Sequence, residues 1–193
     1  FGLALNIAGG THHAFADHGE GFCVFNDVAV ASNLLLARGQ ATQILTVDLD
    51  VHQGNGTAHL MANEPRVFTF SMHGAKNYPF RKQASDLDID LPNETGDEAY
   101  LAILMDTLPA LIAKVKPDML FYQSAVDVLA TDKLGKLALT RDGCAKRDAF
   151  VFSQAKAHGI PVAVVMGGGY SENIDDVVEA HCNTFRIAKR LYE

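Results

Sequence analysis

The strongest constraint on the fold is an alternation along the chain. Short apolar runs rich in β-branched or aromatic residues take turns with longer segments of helical spacing. The runs cover residues 3–7, 44–51, 67–72, 119–122 and 161–166, and the helical segments 28–38, 97–115, 141–158 and 174–191. Strands separated by helices pair in parallel through crossovers, and runs that are apolar throughout belong to a sheet covered on both faces. The predicted fold class is therefore α/β: an open, mostly parallel sheet with helices on both faces, in three layers. Within it, Thr95-Gly96-Asp97-Glu98 marks a helix start and Pro117 stops that helix. Residues 74–95 read as the longest loop. No repeat or linker interrupts the pattern, so one domain spans residues 1–193.

Composition narrows the function. Sixteen basic residues stand against 23 acidic ones, a net charge of -7 that disfavours a nucleic-acid partner. No apolar run approaches a membrane span, and the apolar start lacks the basic flank of a signal peptide. Cys23, Cys144 and Cys182 are scattered and odd in number, which fits a reducing, cytoplasmic setting and leaves any metal to nitrogen and oxygen ligands.

Ligands of open α/β sheets bind beyond the carboxyl ends of the strands. The residues there are Gly9-Gly10-Thr11-His12-His13, the stretch Asp48-Leu49-Asp50-Val51-His52-Gln53-Gly54-Asn55-Gly56, Ser71-Met72-His73, Ser124-Ala125-Val126-Asp127, and Gly167-Gly168-Gly169-Tyr170. Two aspartates and a histidine within five residues favour a cation over a structural network, because buried carboxylates are costly unless paired. Asp50, His52 and Asp127 form a three-ligand site with an open position, the catalytic arrangement. The tandem His12-His13 reads either as a loop pair bonded to backbone or as a proton-transfer group beside the metal, with Asp48 orienting one ring. The glycines before Tyr170 lack the spacing of a phosphate loop, so Tyr170 is an oxyanion donor or a turn tyrosine. Asn26 or Asp27 is available to cap the first helix. By composition Phe22 reads as core, whereas Tyr78, in a loop, reads as a substrate wall.

These motifs, with Gly21-Phe22-Cys23-Val24-Phe25-Asn26-Asp27 and residues 127–135, resemble in sequence and in order the zinc-dependent histone deacetylase superfamily. That superfamily includes acetylpolyamine amidohydrolases and shares the arginase fold; the His-Gln-Gly-Asn-Gly form is similar to its class IV and bacterial branch. The resemblance implies Zn²⁺, with Fe²⁺ as the alternative, on Asp50, His52 and Asp127. It makes His13 the general base and acid, His12 its electrostatic partner, and Tyr170 the oxyanion donor. It implies an acyl-lysine tunnel walled by Phe22 and Tyr78, with Leu134 at the rim and Gly21 and Gly168 along it. It also implies a structural K⁺ on Asp48, Ser71 and the carbonyls of Asp50, His52 and Met72.

The expected activity is removal of acyl groups from acyl-lysine. Acetylpolyamine hydrolysis is the enzymatic alternative, and a non-catalytic acyl-lysine or metal-binding module the alternative of another class. Two departures stand out. Many members carry aspartate at the position of Asn55, so His13 lacks an anionic neighbour. Members also carry a longer stretch before the histidine pair, so a chain starting at Phe1 reads as an N-terminally truncated domain, covered by the missing piece or by a partner subunit.

Overall fold

Residues 44–48, Ile-Leu-Thr-Val-Asp, form a strand buried at every position, because both faces of the sheet around it are covered. The computed structural model describes residues 2–193; Phe1, the first residue of the apolar start, lies outside them. In chain order the elements are β1 (Leu3–Leu5), α1 (Asp27–Ala37), β2 (Ile44–Asp48), α2 (Asn55–Met61), β3 (Val67–Gly74), β4 (Leu87–Leu91), α3 (Asp97–Val115), β5 (Met119–Gln123), α4 (Arg141–Ala157), β6 (Val162–Val165) and α5 (Ile174–Tyr192). The six strands lie in the order β1-β6-β5-β2-β3-β4, and each pairing is parallel.

Alternation along the strands assigns the two faces. Leu45, Val47, Leu120, Tyr122, Val162 and Val164 pack with residues of α3, α4 and α5 in the larger core. Ile44, Phe121 and Val165 pack with Val28, Ala29 and Leu36 of α1 and Met61 of α2 in the smaller one. These are the predicted three layers.

Helix boundaries follow local chemistry. Asn26 caps α1, its side chain accepting from Ala29 N at 2.9 Å, and Thr140 caps α4 through Gly143 N at 3.0 Å. Helix α3 ends where Lys116 turns left-handed (φ 51°) just before Pro117.

Two elements correct the sequence reading. The supposed loop 74–95 contains β4, and the Gly-Asn-Gly stretch after β2 opens α2. From β2 the sheet grows outward through β3 and β4, and α3 then carries the chain back to β5 on the other flank of β2. That reversal between β2 and β5 is the crevice where such sheets bind ligands.

Candidate active site

Asp50 and His52 follow β2, and Asp127 follows β5, so the reversal brings the three together. One ligand atom from each lies within 4.8 Å of the others. His52 Nδ1 is 3.0 Å from Asp50 Oδ1 and 3.1 Å from Asp127 Oδ2. Both carboxylates are buried, and backbone amides hold their remaining oxygens: Val51 N donates to Asp127 at 2.9 Å and Gly168 N to Asp50 at 3.1 Å. A Cβ on Gly168 would stand 2.0 Å from Asp127 Oδ2, so only glycine lets the last strand's loop approach this closely.

The three groups could hold a metal ion. Burial, reinforced by Asp50, pushes the Asp127 carboxyl up to about 7. Burial opposes a charge on His52, yet its hydrogen bonds to Asp127 and Asp50 prevail and raise it to about 10. Two buried carboxylates thus flank one protonated imidazole, a positive charge that a divalent cation could also supply. One imidazole and two carboxylates form a donor set suited to Zn²⁺ or Fe²⁺.

Beside the trio, the rings of His12 and His13 lie 4.1 Å apart between centroids, tilted by 49°. His12 Nδ1 lies 2.6 Å from Asp48 Oδ2, and His13 Nδ1 lies 2.6 Å from Asn55 Oδ1. The environments drive the two rings apart. Burial disfavours charge on both, but Asp48 and Asp50 overcome it at His12, which rises to about 9. His13 has no such carboxylate in contact, and burial with the charge of His12 lowers it to about 3. At neutral pH one ring is cationic and the other is a free base, the division of labour that acid–base chemistry needs. Asp48 does orient one of the pair, as the sequence suggested.

These groups open onto a cavity of about 560 Å³, whose lining includes His12, His13, Asp50, His52, Asp127, Gly21, Phe22, Tyr78, Leu134, Gly168 and Tyr170. Phe22 corrects the composition-based reading as core: it is 87% exposed and sits at φ 67° after Gly21, in a turn that turns its ring outward. A Cβ on Gly21, itself at φ 52°, would strike the His13 ring at 2.4 Å. The rings of Phe22 and Tyr170 lie 6.2 Å apart, and Tyr78 packs edge-on against His13 at 5.1 Å. Burial, then Asp127 and Asp50, push the Tyr170 phenol up to about 12, so it keeps its proton.

Asp48, Asn55, Ser71 and Met72 stand behind this lining, buried; Asp48 and Ser71 are register partners on β2 and β3. Ser71 Oγ is 2.9 Å from His73 Nδ1.

Several residues escaped the sequence reading. Asp132 accepts from Tyr170 N at 2.6 Å and from Leu134 N at 2.8 Å, tying rim and tyrosine together. Arg147, fully buried in α4, donates to Ala125 O at 2.7 Å and Leu49 O at 3.3 Å, next to both carboxylate-bearing segments. Glu20 accepts from Asn55 Nδ2 at 3.0 Å and from the Tyr78 hydroxyl. For Asp132 the signal was its place inside the 127–135 motif; a mid-helix arginine and a loop glutamate carry none.

A family model described as the histone deacetylase domain matches residues 2–185. An uncharacterised protein of Picosynechococcus is 51% identical over 191 residues, covering 99% of this chain and 64% of that protein. Histone deacetylase 2 of Arabidopsis thaliana is 32% identical over 180 residues, which cover 92% of this chain and 46% of the relative. Histone deacetylase 1 of Homo sapiens is 32% identical over 200 residues, with 98% and 39% covered. The crystal structure of the HDA15 HD domain shares the fold at a TM-score of 0.76 and 24% identity, over 91% of this chain and 54% of that one. The chain spans about half the length of the curated relatives it matches.

Proposed function

Since this chain belongs to the histone deacetylase family, we propose that its residues form the catalytic domain of a metal-dependent amidohydrolase that removes acyl groups from acyl-lysine. The observation that supports this most is the convergence of the Asp50-His52-Asp127 trio, a divided histidine pair and a protonated tyrosine on one cavity. Zn²⁺ held by the trio, or Fe²⁺ in its place, would polarise the amide carbonyl and acidify the attacking water.

The chain's own residues then divide the proton work. His13, neutral and hydrogen-bonded through Nδ1, takes a proton from the attacking water and returns it to the departing amine. His12, cationic against Asp48, stabilises the negative charge that develops beside it. Tyr170 donates its hydroxyl to the carbonyl oxygen as that oxygen gains charge. The exposed ring of Phe22 and the half-buried ring of Tyr78, with Leu134 at the rim, suit the methylene chain of an acylated lysine. The structural K⁺ that the family resemblance implies would be held by Asp48 and Ser71, register partners on β2 and β3, with the carbonyls of Asp50, His52 and Met72.

The excess of acidic over basic residues, 23 against 16, suits a polyamine cation as well as a lysine, so an acetylpolyamine is the second substrate class. The test is hydrolysis by the full-length, zinc-loaded protein of a panel of acyl-lysine peptides and acetylpolyamines. Turnover of the peptides is expected. A protein that binds acyl-lysine without hydrolysing any member would be a recognition module instead.

A further inference from the structure

His13 has an unusual neighbour in Asn55, the first residue of α2, which is 2% exposed and can carry no charge. An amide has one accepting end and one donating end, and either could face an imidazole nitrogen. What lies on its far side therefore decides which end His13 meets. There Glu20 Oε1 sits 3.0 Å from Asn55 Nδ2, and the same oxygen receives the Tyr78 hydroxyl. The other oxygen, Oε2, lies 3.5 Å from His18 Nε2. Glu20 is itself anchored, because its backbone exchanges hydrogen bonds with Cys23 at 3.0 and 2.8 Å across the turn that carries Gly21 and Phe22.

The hydrogen bond from Tyr78, with that from Asn55, holds the Glu20 carboxyl below its ordinary range, so it is ionised at neutral pH. An ionised carboxylate only accepts. Asn55 must then turn its NH₂ toward Glu20 and its carbonyl toward His13, and a carbonyl 2.6 Å from Nδ1 requires a hydrogen on that nitrogen. In a neutral imidazole with Nδ1–H, the lone pair resides on Nε2. We infer that Glu20 is a positioning residue: through the amide of Asn55 it holds His13 in the Nδ1–H tautomer, leaving Nε2 as the base. An aspartate at position 55 would need no such orientation, since both its oxygens accept. Glu20 with Asn55 is thus one charge moved a residue outward, and two carboxylates at 3.0 Å would repel. The tautomer stands on the geometry alone; its catalytic meaning rests on the function proposed above.

Two measurements on the full-length, zinc-loaded protein test this. The ring-nitrogen chemical shifts of His13 report the tautomer without any turnover, so an inert protein speaks against the functional reading while the shifts still decide the proposal. Wild type is expected as Nδ1–H, and Glu20→Gln, whose own amide can face either way, as a mixture. Tyr78→Phe, which removes the hydroxyl bond to Glu20 but leaves that from Asn55, should leave the tautomer as it is. The second measurement is a cycle on kcat with an acyl-lysine peptide. Asn55→Asp should lower kcat about tenfold while Glu20 is present, and should restore the loss in the Glu20→Gln background, with KM little changed throughout. Glu20→Ala serves the same cycle should Glu20→Gln fold poorly. An unchanged His13 tautomer in both Glu20 variants, or an Asn55→Asp effect of the same sign in both backgrounds, would overturn the inference. So would a tautomer shift in Tyr78→Phe alone, which would assign Glu20 to the tunnel wall.

Discussion

Tyr170 keeps its proton because burial and the carboxylates of Asp127 and Asp50 push its phenol to about 12. Replacing it with phenylalanine removes one donor and leaves the ring packing in place. Tyr170→Phe should therefore lower kcat on the order of a hundredfold with unchanged metal content, read by steady-state kinetics and metal analysis. Much weaker substrate binding at normal turnover would place Tyr170 in the tunnel wall. The proposed metal site makes a separate prediction. Without a cation His52 holds its proton up to about 10, so binding must expel it. For each proton expelled, affinity rises about tenfold per pH unit between about pH 6 and pH 8, measured by competition with a chelator. A flat profile would exclude His52 as a ligand, and Asp127→Ala should abolish stoichiometric binding. Most of these residues were legible in the sequence because histidines and aspartates clustered where apolar strands end. Glu20 was not, since its effect runs through the orientation of an amide, which no spacing encodes. Phe22 was legible only through the family motif; its hydrophobicity pointed to the core, and a left-handed turn sent it outward.

Helices read well, α3 best because Thr95-Gly96-Asp97-Glu98 and Pro117 framed it in the sequence, and less well where other forces set the structure. Strand β4, Leu87-Asp88-Ile89-Asp90-Leu91, alternates apolar and acidic residues because it is an edge strand, and the charges resemble a loop. Helix α2 has seven residues and opens on Gly-Asn-Gly, so propensity argues against it; it forms because Asn55, Thr57 and Ala58 are buried against the histidine loop. Helix α4 hides its purpose most completely. Arg147 and Asp148 are charged residues in mid-helix, yet both are buried. Asp148 accepts from Arg147 at 2.9 Å, Tyr122 at 2.5 Å and Thr184 at 2.6 Å, joining β5, α4 and α5. Arg147 also donates through Nη1 to the carbonyls of Leu49 and Ala125. Arg147→Met would leave a buried carboxylate without its counter-ion and free those two carbonyls. A loss of ~3–5 kcal/mol in denaturant unfolding is expected, together with weaker metal binding as the segments of Asp50 and Asp127 loosen. A change below about 1 kcal/mol would show that water replaces the guanidinium without cost.

The molecule as a whole is covered unevenly. On one face α3, α4 and α5 span the sheet, whereas α1 and α2 alone cover the other, with 11 and 7 residues. A groove of about 300 Å³ runs between α1 and the β1, β6 and β5 strands, lined by Leu5, Val28, Ala31, Phe121 and Val165. Around it lie apolar side chains in water: Ile7 is 79% exposed, Phe25 78%, Val30 62% and Leu34 46%. Strand β1, only three residues long, pairs with β6 on one side. Among the described residues no helix is long and apolar enough to cross a membrane, so a bilayer-spanning role for a helix does not explain this surface. Exposed apolar side chains beside a strand that, among the described residues, pairs on one side favour association. The 193-residue chain alone should therefore self-associate as its concentration rises, seen as a concentration-dependent mass in sedimentation. Val30 and Leu34 lie one turn apart on α1, so Val30→Glu with Leu34→Lys exchanges apolar surface for a favourable i,i+4 pair without weakening the helix. That double variant should shift the mass toward the monomer while leaving the metal trio, which lies beyond the strand ends, with its affinity intact. Association undiminished in the double variant would locate the contact elsewhere, and a monomer at every concentration in the parent chain would mean that this face tolerates water as it stands.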